Sequence, residues 1–488
     1  MSATWLPDVD HLIGGEWTPS RSGERFETRD PHDGSLLASV AAGGAEEADR
    51  ALTVARRAFD EGPWPGMGAE ERRRHLHAFA DLVDRDAEEL ALLDTRDMGK
   101  PIRESREMDL PRVSRNLRFF ADYAALAPSE AYPDGTRFSY VLYPPAGVAV
   151  AISPWNFPAM QASWKFAPAL AFGNTVVLKP AEQSPLSAAR LGALALEAGL
   201  PEGVLNVVQG FGPGAVGEAL TGDPRVDRIT FTGESGTGRT IAAAAAQNLV
   251  PVSAELGGRS ANVVFADADL DGAVAGAVRA IFTNNGEICL AGSRLLVERP
   301  LHDEFLERFA AATSALRVGD PKDPRTDVGP LVERTHLEKV DGYVRLGVEE
   351  GGQVIVGGGP SEDPGLAGGL YYAPTVLDAM RNDMRAVREE IFGPVQVIVP
   401  FDAEEEALAF ANDSDYGLAG MLWTSDLDRA HRMAERWRTG MVWVNCFFER
   451  DLRLPFGGEK ASGMGREGGQ HSREFFTDPR AVVIRRAR

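Results

Sequence analysis

Two hydrophobic patterns alternate along this chain of 488 residues. In one, apolar side chains recur every three or four positions, which places them on one face of an amphipathic helix. In the other, short runs rich in β-branched residues lack polar alternation, which is typical of strands buried on both faces of a sheet. The helical pattern covers residues 46–59, 69–97, a segment from near Pro111 through Phe120, 187–198, 240–247, 271–282, 302–316, 403–411 and 428–437, and the strand pattern covers residues 147–152, 175–178, 204–208 and 228–231.

This alternation of strands and helices predicts an α/β fold built on a doubly wound parallel sheet. Parallel strands must be joined by crossover segments, and the intervening helices supply them. A second alternation of the same kind begins near residue 257. At the C-terminus, residues 480–488 return to a strand pattern, and we expect this tail to extend a sheet at a contact between subunits.

Composition narrows the class of protein. Apolar residues make up 44% and charged residues 25% of the chain, which is typical of a globular protein of about two to four domains at this length. No apolar run of about 18 residues occurs, and the first 17 residues do not resemble a leader, so no membrane span is predicted. The chain has only two cysteines, which excludes a disulfide framework and indicates a reducing, cytoplasmic compartment.

The charge balance excludes two kinds of partner. Lys and Arg number 51 and Asp and Glu number 72, which gives a net charge of −21. Such a chain repels phosphate backbones and acidic lipid surfaces, so neither nucleic acid nor a membrane is expected as a partner. An anionic small molecule would need locally placed cations. No metal site is predicted.

Two glycine-rich turns follow predicted strands and open helices, as phosphate-binding turns do. The first, from Gly212 to Gly217, matches G-x-G-x-x-G, but Pro213 lacks the backbone N–H that a phosphate cradle would use. A tight turn with close helix packing explains it equally well. The second contains Gly233 and Gly238 and exposes the amides of a helix start. We expect the second turn to hold a pyrophosphate and the first to flank an adenine.

Cys289 follows the turn-forming pair Asn285-Gly286, which suggests a nucleophilic thiol rather than half of a disulfide. The alternative is a small buried apolar residue, which is the usual state of a free cysteine. Cys446 lies in an apolar run and fits this second description.

Seven short motifs, in order along almost the whole chain, resemble those of the aldehyde dehydrogenase superfamily. The resemblance implies an NAD-binding Rossmann-type domain (residues 1–125 and 146–256), an α/β catalytic domain (257–460), and an oligomerisation region formed by a small hairpin and the tail (126–145 and 461–488). It also implies a homodimer or homotetramer. The motifs are Ser153-Pro154-Trp155-Asn156-Phe157-Pro158, Lys179-Pro180-Ala181-Glu182, Phe231-Thr232-Gly233, Glu255-Leu256-Gly257-Gly258, Gly286-Glu287-Ile288-Cys289, Glu389-Glu390-Ile391-Phe392-Gly393-Pro394 and Pro455-Phe456-Gly457-Gly458.

The resemblance assigns the chemistry to three residues. Cys289 attacks the aldehyde carbon, and the side-chain amide of Asn156, with the backbone amide of Cys289, stabilises the oxyanion that forms. After hydride transfer leaves a thioester, Glu255 activates the water that hydrolyses it, which requires a carboxylate with a pKa near neutral. From the residues alone, Glu255 could merely end a strand and Asn156 could be a turn residue.

The resemblance also assigns the cofactor contacts. Lys179 and Glu182 match positions that hydrogen-bond the adenine ribose, and a carboxylate there would repel a 2′-phosphate, so NAD is expected rather than NADP. Glu390 matches a contact to the nicotinamide ribose, Phe392 packs nearby, and Trp155 walls the cofactor cleft. For Glu390 the alternative is a surface charge.

Two further segments, residues 110–112 and 450–456, look like those of dehydrogenases for muconic semialdehydes. In that subgroup two arginines hold the substrate carboxylate, and Arg112 and Arg453 match these places, because guanidinium groups bind carboxylates in a bidentate way. A structural salt bridge with Asp109 or Asp451 is the alternative. Glu287 departs from the glutamine that usually precedes the thiol in the family.

The predicted function is therefore NAD-dependent oxidation of an aldehyde to a carboxylate through a cysteine thioester, with an anionic, muconic-type semialdehyde as substrate. An aldehyde dehydrogenase of other specificity, for betaine, aliphatic or aromatic aldehydes, is the first alternative. A CoA-acylating enzyme is a second, and Glu255 argues against it. A protein that keeps the fold without turnover is a third, and intact Cys289 and Asn156 argue against it.

Overall fold

Residues 8–485 are described by the computed structural model, which has two large sheets. The first sheet has eight strands, and its five central strands are parallel, as the buried β-branched runs predict. Antiparallel strands close both edges. In sheet order the strands are Gly463–Met464, Val252–Glu255, Arg228–Thr232, Val148–Ser153, Thr175–Pro180, Leu205–Val207, His11–Ile13 and Glu16–Thr18.

The second sheet has seven strands and is parallel except at one edge. The second alternation predicted after residue 257 forms this sheet, and the α/β fold class is confirmed. The predicted domain boundaries themselves stay predictions. In sheet order the strands are Gln353–Val356, Thr375–Asp378, Val395–Phe401, Arg294–Glu298, Ala261–Val264, Ala419–Trp423 and Met441–Val444.

A separate three-stranded sheet joins the tail to the predicted hairpin. The strand Arg480–Arg485 pairs antiparallel with Arg137–Leu142, which pairs with Ala131–Asp134. The strand predicted for the tail is confirmed over residues 480–485, whereas residues 486–488 lie outside the described residues. The contact between subunits stays a prediction. Two smaller sheets comprise Asp8–Val9, Leu36–Ala41 and Arg25–Arg29, and Tyr416–Gly417 with Glu459–Lys460.

The predicted helices are found, with two main differences in their bounds, but the pattern does not predict several further helices, among them Pro158–Ala171 and Arg334–Glu349. The single helix predicted over residues 69–97 is wrong, because the chain breaks at Asp86 between two helices. The Asp86 carboxylate accepts hydrogen bonds from Arg85 and Arg190, and these contacts hold the break although the apolar spacing continues across it. The helices are Ala45–Asp60, Ala69–Arg85, Ala87–Met98, Ile102–Glu104, Leu110–Leu126, Pro158–Ala171, Leu186–Glu197, Val216–Thr221, Ser235–Ala246, Leu270–Phe282, His302–Ser314, Arg334–Glu349, Arg385–Arg388, Glu404–Asn412, Leu427–Arg436 and Gly469–Phe476.

The second difference concerns the helix predicted to begin near Pro111. A helical path already begins at Ile102 and passes through a π-helical stretch, Ser105–Asp109, into Leu110–Leu126. Proline has no N–H to bond to the preceding turn, and the wider π turn accommodates this loss. The prediction placed the start of the helix about two turns too late.

Four parallel strands of the first sheet end at one edge, where the chain presents the motif residues. Val148–Ser153 leads to Asn156, Thr175–Pro180 carries Lys179, Arg228–Thr232 leads to Gly233, and Val252–Glu255 ends on Glu255. In a parallel sheet this carboxyl edge is where ligands bind. Among residues 8–485, no helix is long and apolar enough to cross a membrane.

Candidate active site

A cleft of about 660 Å³ opens at this carboxyl edge. The volume lies in the range typical of ligand pockets. The structure brings the thiol and most of the predicted cofactor residues to the wall of this one cavity. The predicted residues that line it are Trp155, Asn156, Lys179, Glu182, Gly212, Gly233, Cys289, Glu390 and Phe392.

A tight turn presents Cys289 to the cleft. Asn284 and Asn285 both adopt the left-handed conformation, with φ of 53° and 58°, and Gly286 follows at 73°. A side chain on Gly286 would clash with the backbone of Gly393, so this position requires glycine. Burial raises the pKa of the Cys289 thiol to about 12, and the nearby carboxylates Glu390 and Glu255 add to the effect. The thiol is therefore protonated at neutral pH and needs a base before it can attack.

Asn156 lies directly against this turn. Its side-chain amide donates a hydrogen bond to the Glu287 carbonyl oxygen at 2.8 Å. The backbone carbonyl oxygen of Asn156 accepts hydrogen bonds from Asn284 Nδ2 at 3.0 Å and from Lys100 Nζ at 3.4 Å. One of the two amide hydrogens of Asn156 is used in this way, which leaves the second to donate to an oxyanion.

Glu255 ends its strand with a buried carboxyl group. Neither of its side-chain oxygens has a hydrogen-bond partner within the described part of the chain. Burial raises the pKa of Glu255 to about 8, and the neighbouring Glu467 carboxylate adds to this increase, whereas Lys165 and Arg450 oppose it. A carboxyl group with this pKa can take a proton near neutral pH, as a general base must.

Glu467 is itself fixed by several donors. Lys165 Nζ lies 2.7 Å from Glu467 Oε1, and the hydroxyls of Thr230 and Ser253 each donate to the same oxygen at 3.1 Å. This network keeps a negative charge beside Glu255 in a place that solvent does not reach, and a fixed like charge favours the protonated form of Glu255.

The two residues predicted to contact the adenine ribose, Lys179 and Glu182, both line the cleft. Lys179 Nζ forms an ion pair with Glu182 at 3.1 Å, and burial lowers the pKa of Lys179. Gly212 and Gly233 line the same cavity. Gly238, in contrast, does not line the cavity. A side chain there would clash with Leu256, so the role of this glycine is close packing of the helix Ser235–Ala246.

At the other predicted cofactor contact, Glu390 is held by the chain that follows Glu255. The backbone N–H of Gly258 donates to Glu390 Oε1 at 2.7 Å, and burial raises the pKa of Glu390. A side chain on Gly257 would clash with the Glu390 carboxylate. Glu390 is thus a partly buried, hydrogen-bonded group that faces the cleft rather than a surface charge.

Residues 17–482 match the model of the aldehyde dehydrogenase family. The chain belongs to this family. The resemblance inferred from the seven motifs is confirmed.

Relatives of this aldehyde dehydrogenase are similar over their full length. A 2-hydroxymuconic semialdehyde dehydrogenase of Pseudomonas sp. (strain CF600) is 45% identical, with 98% of this chain and 100% of the relative covered. A 5-carboxymethyl-2-hydroxymuconate semialdehyde dehydrogenase of Escherichia coli is 46% identical, with 96% and 99% covered. A solved indole-3-acetaldehyde dehydrogenase in complex with NAD+ superposes with a TM-score of 0.96 at 43% identity, with 99% of this chain and 97% of that chain covered.

In this aldehyde dehydrogenase, the arginine near the thiol is not the predicted Arg453. Arg453 is exposed at the surface, and its guanidinium forms a bidentate ion pair with Asp451. This is the structural salt bridge that the sequence left as an alternative. Arg453, like Arg112 and Arg450, does not line the cleft, and its exposed ion pair with Asp451 holds it at the surface.

Arg450, three residues earlier, is the arginine that faces the thiol region. Its guanidinium stacks over the rings of Trp164 and Phe456, at 4.2 and 3.7 Å from their centroids. Burial lowers the pKa of Arg450 to about 9, and the positive charge of Arg112 lowers it further. Its Nη2 atom lacks a hydrogen-bond partner among residues 8–485. A buried, unpaired guanidinium nitrogen is a ready donor for an anion.

Arg112 lies half-buried near this arginine. Its Nε donates to Asn116 Oδ1 at 3.1 Å, and burial lowers the pKa of Arg112 to about 10. Asp109, its predicted alternative partner, instead forms a buried ion pair with Lys100. Arg112 therefore has no described carboxylate partner within the chain, and the two cations Arg112 and Arg450 lie within electrostatic range of each other.

Two residues of the cleft wall were not identified from the sequence. His336 and Lys339 line the cavity from the first turns of the helix Arg334–Glu349. Their spacing of three residues puts them on one helix face, but the same spacing is typical of any amphipathic helix. Arg450 could have been identified from the sequence, because it lies in the same segment, residues 450–456, as Arg453.

Proposed function

We propose that this aldehyde dehydrogenase oxidises a semialdehyde that carries a carboxylate, of the muconic type, to the corresponding acid with NAD. The observation that carries the substrate class is the pair of partly buried cations Arg112 and Arg450, with a buried, unpaired Nη2 on Arg450. In a protein of net charge −21, two neighbouring cations with neither guanidinium in a described ion pair favour an anionic ligand, although the carboxylates of Glu255 and Glu467 lie within electrostatic range of Arg450. The names of the relatives from Pseudomonas and Escherichia coli support the same class.

The cleft fits a dinucleotide by its own residues. Glycines at positions 212 and 233 allow close approach of a ligand, and the helix Ser235–Ala246 starts beside them with free backbone amides. The Glu182 carboxylate beside Lys179 favours a free ribose hydroxyl over a 2′-phosphate, which supports NAD as the preferred cofactor. When bound, NAD supplies the acceptor for a hydride.

The first half of the reaction depends on Cys289 and Asn156. The thiol transfers its proton to a base, for which Glu255 with its pKa of about 8 is suited. The thiolate sulfur then bonds to the aldehyde carbon, and the carbonyl oxygen becomes an oxyanion. The free hydrogen of the Asn156 amide and the backbone amide of Cys289 stabilise that charge. Loss of the carbon-bound hydrogen as hydride leaves a thioester on Cys289.

The second half returns the enzyme to its starting state. Glu255 first releases the thiol proton to solvent. It then takes a proton from water, and the oxygen of that water attacks the thioester carbon. The carbon–sulfur bond breaks, the acid leaves as its carboxylate, and Cys289 is regenerated. The like charge of Glu467 helps Glu255 to hold the proton in the meantime.

Arg450→Met tests the proposed substrate class, and Arg453→Met is its matched control. We expect Arg450→Met to lower kcat/KM about 100-fold for a muconic-type semialdehyde, because a buried charge pair is lost. For an unsaturated aldehyde of equal length without the carboxylate, the loss in kcat/KM should be much smaller, since a neutral substrate makes no charge-assisted bond and only the effect of Arg450 on the pKa values of Glu255 and Cys289 remains. Arg453→Met should behave as wild type with both. Equal losses on both substrates in Arg450→Met would reject the anionic substrate.

Assembly and location are further proposals. We propose a homodimer or homotetramer that uses the three-stranded sheet of the tail and hairpin, since apolar side chains such as Val483 and Ile484 are exposed there. A cytoplasmic location stays a prediction from the cysteine content.

A further inference from the structure

His336 occupies the wall of the cleft between two aromatic residues. Its ring lies 5.3 Å from that of Trp155 and 6.0 Å from that of Phe392, and these two rings are themselves 5.4 Å apart. All three pairs meet edge to face, with interplanar angles from 66° to 85°. Such an arrangement fixes each ring against the other two.

A hydrogen bond ties His336 to the backbone of Phe392. His336 Nε2 lies 2.7 Å from the Phe392 carbonyl oxygen, which can only accept, so Nε2 carries the proton. Phe392 has a φ of 63°, a left-handed conformation that is rare for a bulky residue and needs support from its surroundings. The bond from His336 supplies this support two residues after Glu390.

The same nitrogen also lies near the loop that carries the thiol. His336 Nε2 is 3.6 Å from Glu287 Oε1, which accepts a hydrogen bond from the backbone N–H of Val332. The carbonyl of Glu287 in turn accepts from Asn156. The start of the helix Arg334–Glu349 therefore lies between the Phe392 segment and the thiol loop.

We infer that His336 is a positioning residue whose Nε2–H holds the left-handed turn at Phe392 and thereby the Trp155–Phe392 wall against which NAD binds. The inference rests on the proposed function, because it takes the cleft as the NAD site. Burial lowers the pKa of His336 to about 4, so the neutral imidazole acts through its hydrogen bond and its ring, not through charge. Loss of the bond should weaken NAD binding and leave aldehyde binding unchanged.

Two variants separate the hydrogen bond from the ring. His336→Phe keeps the edge-to-face packing and lacks the donor, whereas His336→Gln keeps an N–H donor and lacks the ring. The control is His302→Leu, which removes a histidine hydrogen-bonded to Asp378 that does not line the cleft. The dissociation constant of NAD is measured without aldehyde, by quenching of tryptophan fluorescence, and KM is measured separately for NAD and for aldehyde.

We expect His336→Phe to raise both the dissociation constant and KM for NAD about tenfold, which corresponds to one net hydrogen bond. KM for the aldehyde should not change. His336→Gln should remain within about threefold of wild type, and His302→Leu should match wild type, since each keeps the donor at Phe392.

The inference is overturned if His336→Phe binds NAD as wild type does, or if the Gln and Phe variants lose the same amount. Should His336→Phe not fold, His336→Met replaces it, because Met matches Gln in shape and lacks the donor. Failure of this inference can be distinguished from failure of the proposed function. A protein that binds NAD in a His336-dependent way but oxidises no carboxylate-bearing aldehyde would reject the substrate class and keep the inference.

Discussion

At the scale of single residues, Cys289 and Glu255 are both held in surroundings that disfavour their charged forms. Burial raises the pKa of each, to about 12 for the thiol and about 8 for the carboxyl group. The active form of the enzyme requires a proton to leave this pair. Its pH dependence is therefore that of a coupled pair, whose lower titration step lies near that of Glu255.

The rate should follow the deprotonation of Glu255. Below pH 8 only a fraction of Glu255 is ionised, so kcat/KM should rise about tenfold per pH unit towards pH 8 and then level off. Glu255→Gln should lower kcat by about 10²–10⁴ and remove this rise. Initial NADH formation between pH 6 and pH 10 measures both. A wild-type profile that is flat from pH 6 to pH 8 would contradict the assignment.

Asn156→Ala removes the side-chain donor to the oxyanion. We expect kcat to fall about 10²–10³-fold, because a preorganised donor acts mainly in the transition state. The dissociation constant of NAD should be unchanged, which distinguishes lost catalysis from a collapsed cleft. Steady-state kinetics with fluorescence titration of NAD measures the two. A loss below about fivefold would be inconsistent with an oxyanion role.

Residue roles differ in how far the sequence predicts them. Cys289, Glu255 and Asn156 stand in short motifs. The structure brings Cys289 and Asn156 to one cleft and puts Glu255 within electrostatic range of the thiol, although Glu255 does not line the cleft. Arg450 and Arg453 stand three positions apart in an irregular segment, where no period indicates which side chain turns inward. The choice of Arg453 failed because the Asp451–Arg453 ion pair, a contact within two residues, keeps that side chain at the surface.

At the scale of elements, backbone geometry places the chemistry. The thiol turn needs three consecutive left-handed residues, ending at Gly286. Glycine can adopt this conformation without steric cost. Many helices and four parallel strands of the first sheet were predictable from apolar spacing, whereas the helices Pro158–Ala171 and Arg334–Glu349 were not predicted. The break at Asp86 and the π turn before Pro111 were not, because ion pairs and a missing N–H decide them.

Gly286→Ala should destabilise the protein, and Gly342→Ala provides the matched control. At Gly286 the positive φ costs about 1–3 kcal/mol, and the new methyl group clashes with Gly393. At Gly342, inside the exposed face of the helix Arg334–Glu349, a methyl group meets nothing within 4 Å, and alanine should stabilise by about 0.5–1 kcal/mol. The midpoint of thermal unfolding should fall in the first variant and not in the second. If the midpoint of thermal unfolding changed in the same direction in both variants, this would contradict the turn geometry.

At the scale of the whole molecule, two sheets meet around one cleft, and a third sheet presents apolar side chains to solvent. Exposed apolar residues on a strand edge are a liability unless another chain covers them. The tail strand Arg480–Arg485 and its hairpin are the part of the surface where this holds. The amino-acid pattern predicted the strand, but the contact proposed to cover it would depend on a second chain.

Removal of residues 480–488 should lower the oligomeric state. Each chain has a mass of 52.6 kDa, so light scattering after size exclusion distinguishes monomer, dimer and tetramer. We expect the intact chain to form an oligomer and the shortened chain to form a smaller one, because the sheet loses its paired strand. Unchanged mass in the shortened chain would place the interface elsewhere.

The central claim is that Cys289 forms a thioester with the aldehyde carbon and that Glu255 is needed to hydrolyse it. Glu255→Gln, incubated with NAD and a muconic-type semialdehyde, tests this by mass spectrometry of the peptide that contains Cys289. Because Glu255 also accepts the thiol proton, the account predicts slow NADH formation that stops at about one NADH per active site, with an acyl adduct on Cys289 that persists. An adduct on Cys446, or an unmodified Cys289 after NADH has formed, would contradict it.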